Sequence, residues 1–215
     1  MIVHSAEVFD PNHQLKKPSV AIMAEGRHAG LLFRVDGGPV MLLHLAGHYR
    51  LRSEVVDPNG LFWAEIAELE PENLSSLTAY INAVATNLPK TPYGLSDVGI
   101  EFDKSTGDLI VTTQSSGLTC ATFILAVLRA QQMEPLDRHG WPKGRPEDIE
   151  FQKSVVTALR GSIYSARADE IENDVGHARF RPSEVVGASA VPGWSHNSID
   201  AQVLAMQVLA DMEMV

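Results

Sequence analysis

Two strand-forming runs separated by a glycine-rich turn most constrain the fold of this chain. Residues 19–35 (SVAIMAEGRHAGLLFRV) alternate and are rich in β-formers, and residues 39–52 (PVMLLHLAGHYRLR) follow the turn sequence DGGP at 36–39. A third strand-forming run, LFWAEIAEL at 61–69, follows the turn sequence DPNG at 57–60. Because short turns join neighbouring strands in opposite directions, the sequence predicts an antiparallel sheet.

Helical spacing of apolar residues replaces this alternation further along the chain. Residues 74–88 carry apolar side chains at helical intervals before Pro89, and residues 121–133 contain no glycine or proline. The segment 135–147 is rich in proline, glycine and charge, which is typical of a surface loop. Further predictions are a short strand at 109–113, helices at 147–160, 167–173 and 199–214, and a Gly/Pro-rich connection at 182–197.

Charge and hydropathy argue against several classes of function. Seventeen basic and twenty-seven acidic residues give a formal charge of −10, which opposes nonspecific attraction to nucleic acid or to an anionic membrane. No window reaches the roughly 18 apolar residues that a membrane span requires, and the first residues lack the pattern of a secretory leader. We therefore expect a cytoplasmic chain of one domain, with no nucleic-acid partner and no stable membrane insertion.

Cys120 is the only cysteine, and it lies where a polar turn becomes an apolar helix in SSGLTCATFILAVLRA, residues 115–130. One cysteine forms no intrachain disulfide and no multi-cysteine metal centre. In the first turn of a helix, free backbone N–H groups and the helix dipole favour a thiolate, and the same groups can stabilise an oxyanion. The alternative is a buried thiol that packs as a small apolar side chain.

Histidines on the neighbouring predicted strands offer a base for this thiol. His28 begins one strand, while His44 and His48 lie four residues apart on the next, and hence on one face. A two-residue loop at 37–38 would turn His28 to the opposite face, whereas a loop of odd length would bring the three histidines together. We predict the odd loop, with His28 as the base and His44 or His48 orienting it.

Several motifs occur in the order of a known enzyme family. They are HAGLLFRV (28–35), MLLHL (41–45), TPYG (91–94), IEFD (100–103) and TCATFI (119–124). Together they resemble the circularly permuted branch of the papain-like, NlpC-type cysteine peptidase superfamily, which includes lecithin:retinol acyltransferase-like proteins. The resemblance covers roughly residues 19–133, and the order His, His, Cys is that of the permuted branch.

The resemblance implies an α+β, papain-like fold in which an antiparallel sheet packs on helices and the cysteine begins a helix. It implies that residues 19–133 form the catalytic core of a single domain, 1–215, and that residues 147–215 form a helical C-terminal extension. The resemblance implies a catalytic triad of Cys120, His28 and His44, with His48 as an alternative third member of the triad. It also implies two candidates for the oxyanion hole, Tyr93 and Gln114.

The function that these features predict is a thiol hydrolase, a peptidase or amidase that forms an acyl-enzyme and needs no cofactor or metal. Its substrate would be a peptide, an amide or an acyl ester. Three alternatives stay open: a thiol acyltransferase or thioesterase acting on lipid-like substrates, a catalytically inactive binding module, and a metal site built from His28, His44 and His48. The apolar last helix is expected to pack on the core, with a homodimer contact as the other option.

Overall fold

An antiparallel sheet of six strands forms the centre of this computed structural model, which describes residues 1–8 and 10–214. The strands are β1 (His4–Ser5), β2 (Ser19–Met23), β3 (His28–Phe33), β4 (Met41–Leu45), β5 (Leu51–Val55) and β6 (Phe62–Glu65). Their order across the sheet is β1-β6-β2-β3-β4-β5, and every neighbouring pair is antiparallel. The predicted antiparallel sheet is therefore confirmed.

Each of the two long predicted strands is a hairpin instead. Residues 19–35 divide into β2 and β3 at the turn 24–27, and residues 39–52 divide into β4 and β5 at the turn 46–50. The prediction of single strands was wrong because apolar side chains continue on both sides of each turn. The first turn has positive φ angles at Ala24 and Glu25. Alanine and glutamate rarely adopt positive φ, so the sequence does not predict a turn at these two residues.

The register of β3 and β4 decides which histidines share a face. Leu31 lies opposite Leu43 and Phe33 lies opposite Met41, so the connecting loop, 34–40, has an odd number of residues. The predicted odd loop is confirmed, and His28 and His44 project from the same face of the sheet.

The two faces of the sheet contact different apolar clusters. Leu31, Phe33, Leu43 and Leu45 belong to the large core that the helices share, whereas Leu32 and Leu42 belong to a smaller cluster on the other face. Since side chains alternate along a strand, His28 and His44 project from the face of the smaller cluster. Both histidines lie near the end of the β3–β4 pair, beyond its last paired residues, Leu31 and Leu43.

The described residues form seven helices, of which those at residues 71–87, 120–130, 182–190 and 198–213 contribute to the larger core. The seven helices are α1 (Pro11–Gln14), α2 (Pro71–Asn87), α3 (Cys120–Ala130), α4 (Pro146–Arg160), α5 (Ser165–Ile171), α6 (Pro182–Ala190) and α7 (Ser198–Glu213), with a 3-10 turn at Glu172–Asp174. A second sheet pairs β7 (Ile100–Phe102) with β8 (Leu109–Val111). The helices predicted at 74–88, 121–133, 147–160, 167–173 and 199–214 are confirmed, with shifted ends, as is the short strand within 109–113. None of the helices in the described ranges is long and apolar enough to cross a membrane.

The last two helices depart from the prediction. Residues 182–197 were expected to be an irregular connection, but α6 occupies the first part and is almost wholly buried. Its small residues allow close contact with α7, because a side chain at Gly187 would lie 2.9 Å from the Cβ of Leu204. The packing face of α7 is also made of small residues, so Val203 and Met206, predicted to pack inward, are exposed.

Candidate active site

Cys120 is the first residue of α3, as the sequence predicts. Thr119 caps the helix: its Oγ1 accepts the N–H of Thr122 at 3.2 Å, and its own N–H donates to Thr122 Oγ1 at 2.8 Å. This reciprocal cap fixes where the helix begins. The thiol is therefore held at the N-terminus of a buried helix that packs against β3 and β4.

The sulfur of Cys120 contacts the sheet through the peptide group that joins His28 to Ala29. The backbone N–H groups of Ala29, Ala121 and Cys120 are directed at the sulfur. In the described part of the chain, the hydrogen bonds of the His28 imidazole do not include one to the sulfur. The thiol therefore lies beside the backbone of the proposed base, at the end of the β3–β4 pairing.

Burial dominates the ionisation of this thiol. The residue is only 7% exposed, and burial raises the pKa of the Cys120 thiol above its ordinary value, although the N–H of Ala29 and the charge of Arg179 oppose the rise. The expectation of a resting thiolate was therefore wrong for this closed arrangement. Helix-end stabilisation is present, but the loss of water outweighs it.

The two strand histidines form a hydrogen-bonded relay that ends on a carboxylate. His28 Nε2 lies 2.6 Å from His44 Nδ1, and His44 Nε2 lies 3.0 Å from Glu54 Oε1. Glu54 reaches His44 because Arg52 lies opposite His44 in the β4–β5 pair, and Glu54 is two residues further along the same face.

Glu54 determines which nitrogens of the relay carry hydrogens. A carboxylate accepts the Nε2 hydrogen of His44, which leaves His44 Nδ1 free to accept the Nε2 hydrogen of His28. The Nδ1 of His28 then keeps its lone pair and can accept a proton. Burial, followed by the nearby charge of His44, lowers the pKa of His28 to about 4, so its ring is neutral at pH 7.

Gly30 makes room for this relay, because it lies next to His44 on the neighbouring strand. An added Cβ at Gly30 would lie 3.0 Å from the Cβ of His44 and 2.7 Å from the side chain of Leu42. Gly30→Ala is expected to lower the free energy of unfolding by about 1–3 kcal/mol, because neither neighbour can move without disturbing the sheet. Urea unfolding would measure this. Gly161→Ala, whose added Cβ would meet no atom closer than 3.7 Å, is the matched control, and an equal loss in both variants would contradict the prediction.

Of the two oxyanion-hole candidates, the structure brings Tyr93 to the thiol. Burial raises the pKa of the Tyr93 hydroxyl, and the charge that Cys120 would carry raises it further, so the phenol is close to the sulfur and neutral. Gln114 is exposed, and its side-chain amide donates to Glu170 at 3.0 Å. It is therefore directed away from the buried thiol, and the expectation for Gln114 is not supported by its placement.

His48 does not join the other two histidines. It lies in the turn between β4 and β5, where its Nδ1 accepts the backbone N–H of Tyr93 at 3.1 Å. Its ring contacts those of Tyr49 and Tyr164, which are 3.9 Å and 4.9 Å away between centroids. The expectation that His48 shares a strand face with His44 was wrong, because the chain turns between them. The hydrogen bond from the Tyr93 N–H to His48 is consistent with a role for His48 in positioning the Tyr93 backbone.

No metal site forms from these histidines. Within residues 1–8 and 10–214, no group of three or more His, Cys, Asp or Glu residues is placed to hold a metal ion. The three-histidine metal alternative requires His48 beside His28 and His44, and the turn at 46–50 prevents this.

Two residues at this site were not found from the sequence. Glu54 could have been found if the turn at 46–50 had been recognised, since its distance from His44 along the hairpin then follows. Arg179, whose charge acts on both Cys120 and Tyr93, had no sequence signal. Its guanidinium stacks 3.6 Å above the ring of Phe151, which belongs to α4.

These residues from the C-terminal part of the chain pack beside the start of α3. Arg179 and Phe151 line a cavity of only about 10 Å³ beside Thr119 and Thr122, the two capping residues of α3. Cys120 itself is only 7% exposed, so the side chains around it, here called its cover, must move before an acyl group can reach the sulfur.

The chain matches no family model, no curated protein and no solved structure. The proposed function therefore rests on the contacts and the geometry of Cys120 and the residues around it.

Proposed function

We propose that the chain is a thiol hydrolase of papain-like, circularly permuted type, in which Cys120 attacks the carbonyl of an amide or ester. The observation that supports this most is the relay from Glu54 through His44 to His28, the residue before Ala29, whose backbone N–H contacts the sulfur. One buried and one half-buried imidazole, whose ring nitrogens lie 2.6 Å apart, serve no evident packing purpose, since apolar side chains would fill this space at lower cost in desolvation.

The proposed reaction begins with transfer of the thiol proton to the free Nδ1 of His28, whose ring must first come within reach of the sulfur because it projects from the face of the sheet opposite α3. The sulfur then forms a bond to the carbonyl carbon, and the resulting oxyanion accepts hydrogen bonds from the hydroxyl of Tyr93 and from the N–H groups at the start of α3. His28 returns the proton to the leaving amine or alcohol as the C–N or C–O bond breaks. Water, deprotonated by His28, releases the acid and restores the thiol.

Acyl-enzyme formation tests this proposal directly. On exposure to 4-nitrophenyl acetate, the chain is expected to release about one equivalent of nitrophenolate in a burst and to gain one acetyl group at Cys120. Intact-mass analysis followed by peptide mapping would locate the acetyl group. Cys120→Ala is expected to show neither the burst nor the mass gain. Equal acetylation of the wild type and Cys120→Ala would contradict the proposal.

A catalytically inactive module of the same fold is the second candidate, and the burial of Cys120 favours it. A thiol that is 7% exposed, with a raised pKa, reacts slowly unless its cover opens and a base assists. The comparison with the urea-unfolded chain at pH 7 separates the two candidates. Faster acetylation of the folded chain supports the hydrolase, and slower acetylation supports the inactive module.

Glu54 is expected to act through the relay. In Glu54→Gln the amide oxygen can still accept the His44 hydrogen, but the charge is lost, so acylation should slow about fivefold, the effect of a half-exposed ion pair. In Glu54→Lys an ammonium would donate to His44 Nε2 and reverse the relay, so a loss of about a hundredfold or more is expected. The measurement is the burst rate against pH.

The control for these variants is Glu65→Gln, which removes another strand glutamate that forms an ion pair with Lys17. It is expected to leave the burst rate unchanged. If Glu54→Lys acylates as fast as Glu54→Gln, the hydrogen positions of the relay do not matter and its proposed role is wrong.

A further inference from the structure

An open groove lies beside Arg179. It has a volume of about 410 Å³, and its walls are the turn just before His28 (residues 25–27), the start of α6 and the exposed face of α7, including Met206 and Leu209. Arg179 lines this groove and also the small cavity beside the capping residues of α3. Its charge also acts on Cys120, so the groove lies next to a residue that influences the thiol.

Arg179 belongs to a network in which arginines outnumber the buried carboxylates. Asp148, which is 2% exposed, pairs with Arg145, Arg179 and Arg181, while Glu184, also buried, pairs with Arg145. A third carboxylate, Glu147, lies 3.6 Å from Arg181 but is exposed to solvent. With Glu147 the network has three guanidinium groups, all partly exposed, and three carboxylates, of which two are buried.

The guanidinium of Arg179 has capacity for another acceptor. In the described part of the chain its side chain donates one hydrogen bond, from Nη1 to Asp148 Oδ1 at 3.1 Å, and Phe151 covers one face. Arg179 also lines the groove. The acidic side chains that line the groove are already paired: Glu25 with Arg27, and Glu184 with Arg145.

We propose that Arg179 binds a carboxylate of the substrate in this groove, close to the acyl carbon that Cys120 attacks. The inference rests on the proposed hydrolase function and narrows its substrates to amides or esters that carry a free carboxylate near the scissile bond. A monoanion fits because one guanidinium edge binds a carboxylate in two-point fashion.

Two alkylating reagents of nearly equal size test the subsite without a known substrate. Iodoacetate and iodoacetamide both transfer a CH2 group to the sulfur: the C–S bond forms, the C–I bond breaks, iodide leaves and His28 takes the thiol proton. They differ in that one carries a carboxylate and the other a neutral amide. The ratio of their rate constants at Cys120, measured by intact mass, therefore reports recognition of the negative charge.

The ratio of iodoacetate to iodoacetamide rate constants is expected to fall about tenfold or more in Arg179→Gln, because the charge that attracts the carboxylate is removed. Using the ratio cancels any change in the ionisation of Cys120, which affects both reagents equally. Arg160→Gln removes an equal charge from an exposed arginine paired with Asp169 and Glu172, and it should leave the ratio unchanged. Succinate is expected to protect the wild type against iodoacetamide.

The outcomes distinguish this inference from the function on which it rests. If both reagents modify Cys120 and the ratio is the same in the wild type and Arg179→Gln, the carboxylate subsite is wrong and the reactive thiol remains. If neither reagent modifies the folded wild type, the proposed function fails and the subsite fails with it. Should Arg179→Gln not fold, the comparison of the folded with the urea-unfolded wild type decides: an equal ratio in both overturns the subsite.

Discussion

Replacing His28 with alanine is expected to slow acylation of Cys120 by about a hundredfold to ten-thousandfold at pH 7, the usual contribution of a positioned base. The reason lies in the two pKa shifts at the site. Burial raises the pKa of the Cys120 thiol and lowers the pKa of His28 to about 4, so the thiol and the imidazole are both neutral at rest. Proton transfer must then accompany attack, and the proposed mechanism assigns the role of acceptor to His28.

The pH dependence should change together with the rate. Because the working form of His28 is the neutral ring, wild-type acylation is expected to be level through neutral pH and to decline as pH falls through about 4. Without His28 the reaction needs a free thiolate, so the rate of the variant should rise about tenfold for each pH unit in the neutral range. Burst rates from pH 3.5 to 9 would show both profiles.

The control for His28→Ala is His139→Ala, because His139 is an exposed loop residue away from the relay. It is expected to keep both the rate and the level profile of the wild type. A His28→Ala variant that retains the same rate and the same pH profile would show that this ring accepts no proton in the reaction, and the proposed mechanism would have to be abandoned.

Replacing Arg167 with alanine is expected to lower the free energy of unfolding by about 3–5 kcal/mol. The Arg167 side chain is buried in α5 and donates to main-chain oxygens of Tyr93, Gln114, Ser115 and Ser116 at 2.7–2.9 Å. Its truncation would leave these oxygens without this donor and would remove the ion pair with Glu170. Equilibrium unfolding in urea is the measurement.

Two further variants show what this arginine contributes. Arg167→Lys keeps the charge but cannot reproduce the planar array of donors, so it should recover less than half of the loss. Arg160→Ala removes an arginine that forms exposed ion pairs and should have little effect on stability. If Arg167→Ala is no less stable than Arg160→Ala, then α5 does not secure the loop before Cys120 in the way described.

The parts of the fold that the sequence predicts are those with uninterrupted periodicity. The helix α2 has regular apolar spacing bounded by prolines, and α3 has a polar cap followed by a run without glycine or proline. The helix α6 was not predicted, because a proline at its start and glycine and serine within it are typical of loops. Only its burial against α7 makes these small residues favourable.

The site could be predicted in part for similar reasons. The pairing of His28 with His44 follows from the alternation of side chains along the two strands, provided that the loop between the strands has an odd number of residues. Glu54 could not be predicted, because its proximity to His44 depends on a tight turn at 46–50 that has no strong sequence signature. The cover over the thiol could not be predicted at all, because Arg179 and Phe151 approach Cys120 through contacts between distant parts of the chain.

The cover over Cys120 sets a limit on how fast any compound can react there. While the surrounding side chains leave Cys120 only 7% exposed, a reagent cannot reach the sulfur until they move, whatever its own reactivity. At high reagent concentrations the observed rate constants should therefore level off at one common maximum, equal to the rate of opening. Strong and weak electrophiles would reach that same maximum, and its value would measure a motion of the protein instead of a property of the reagent.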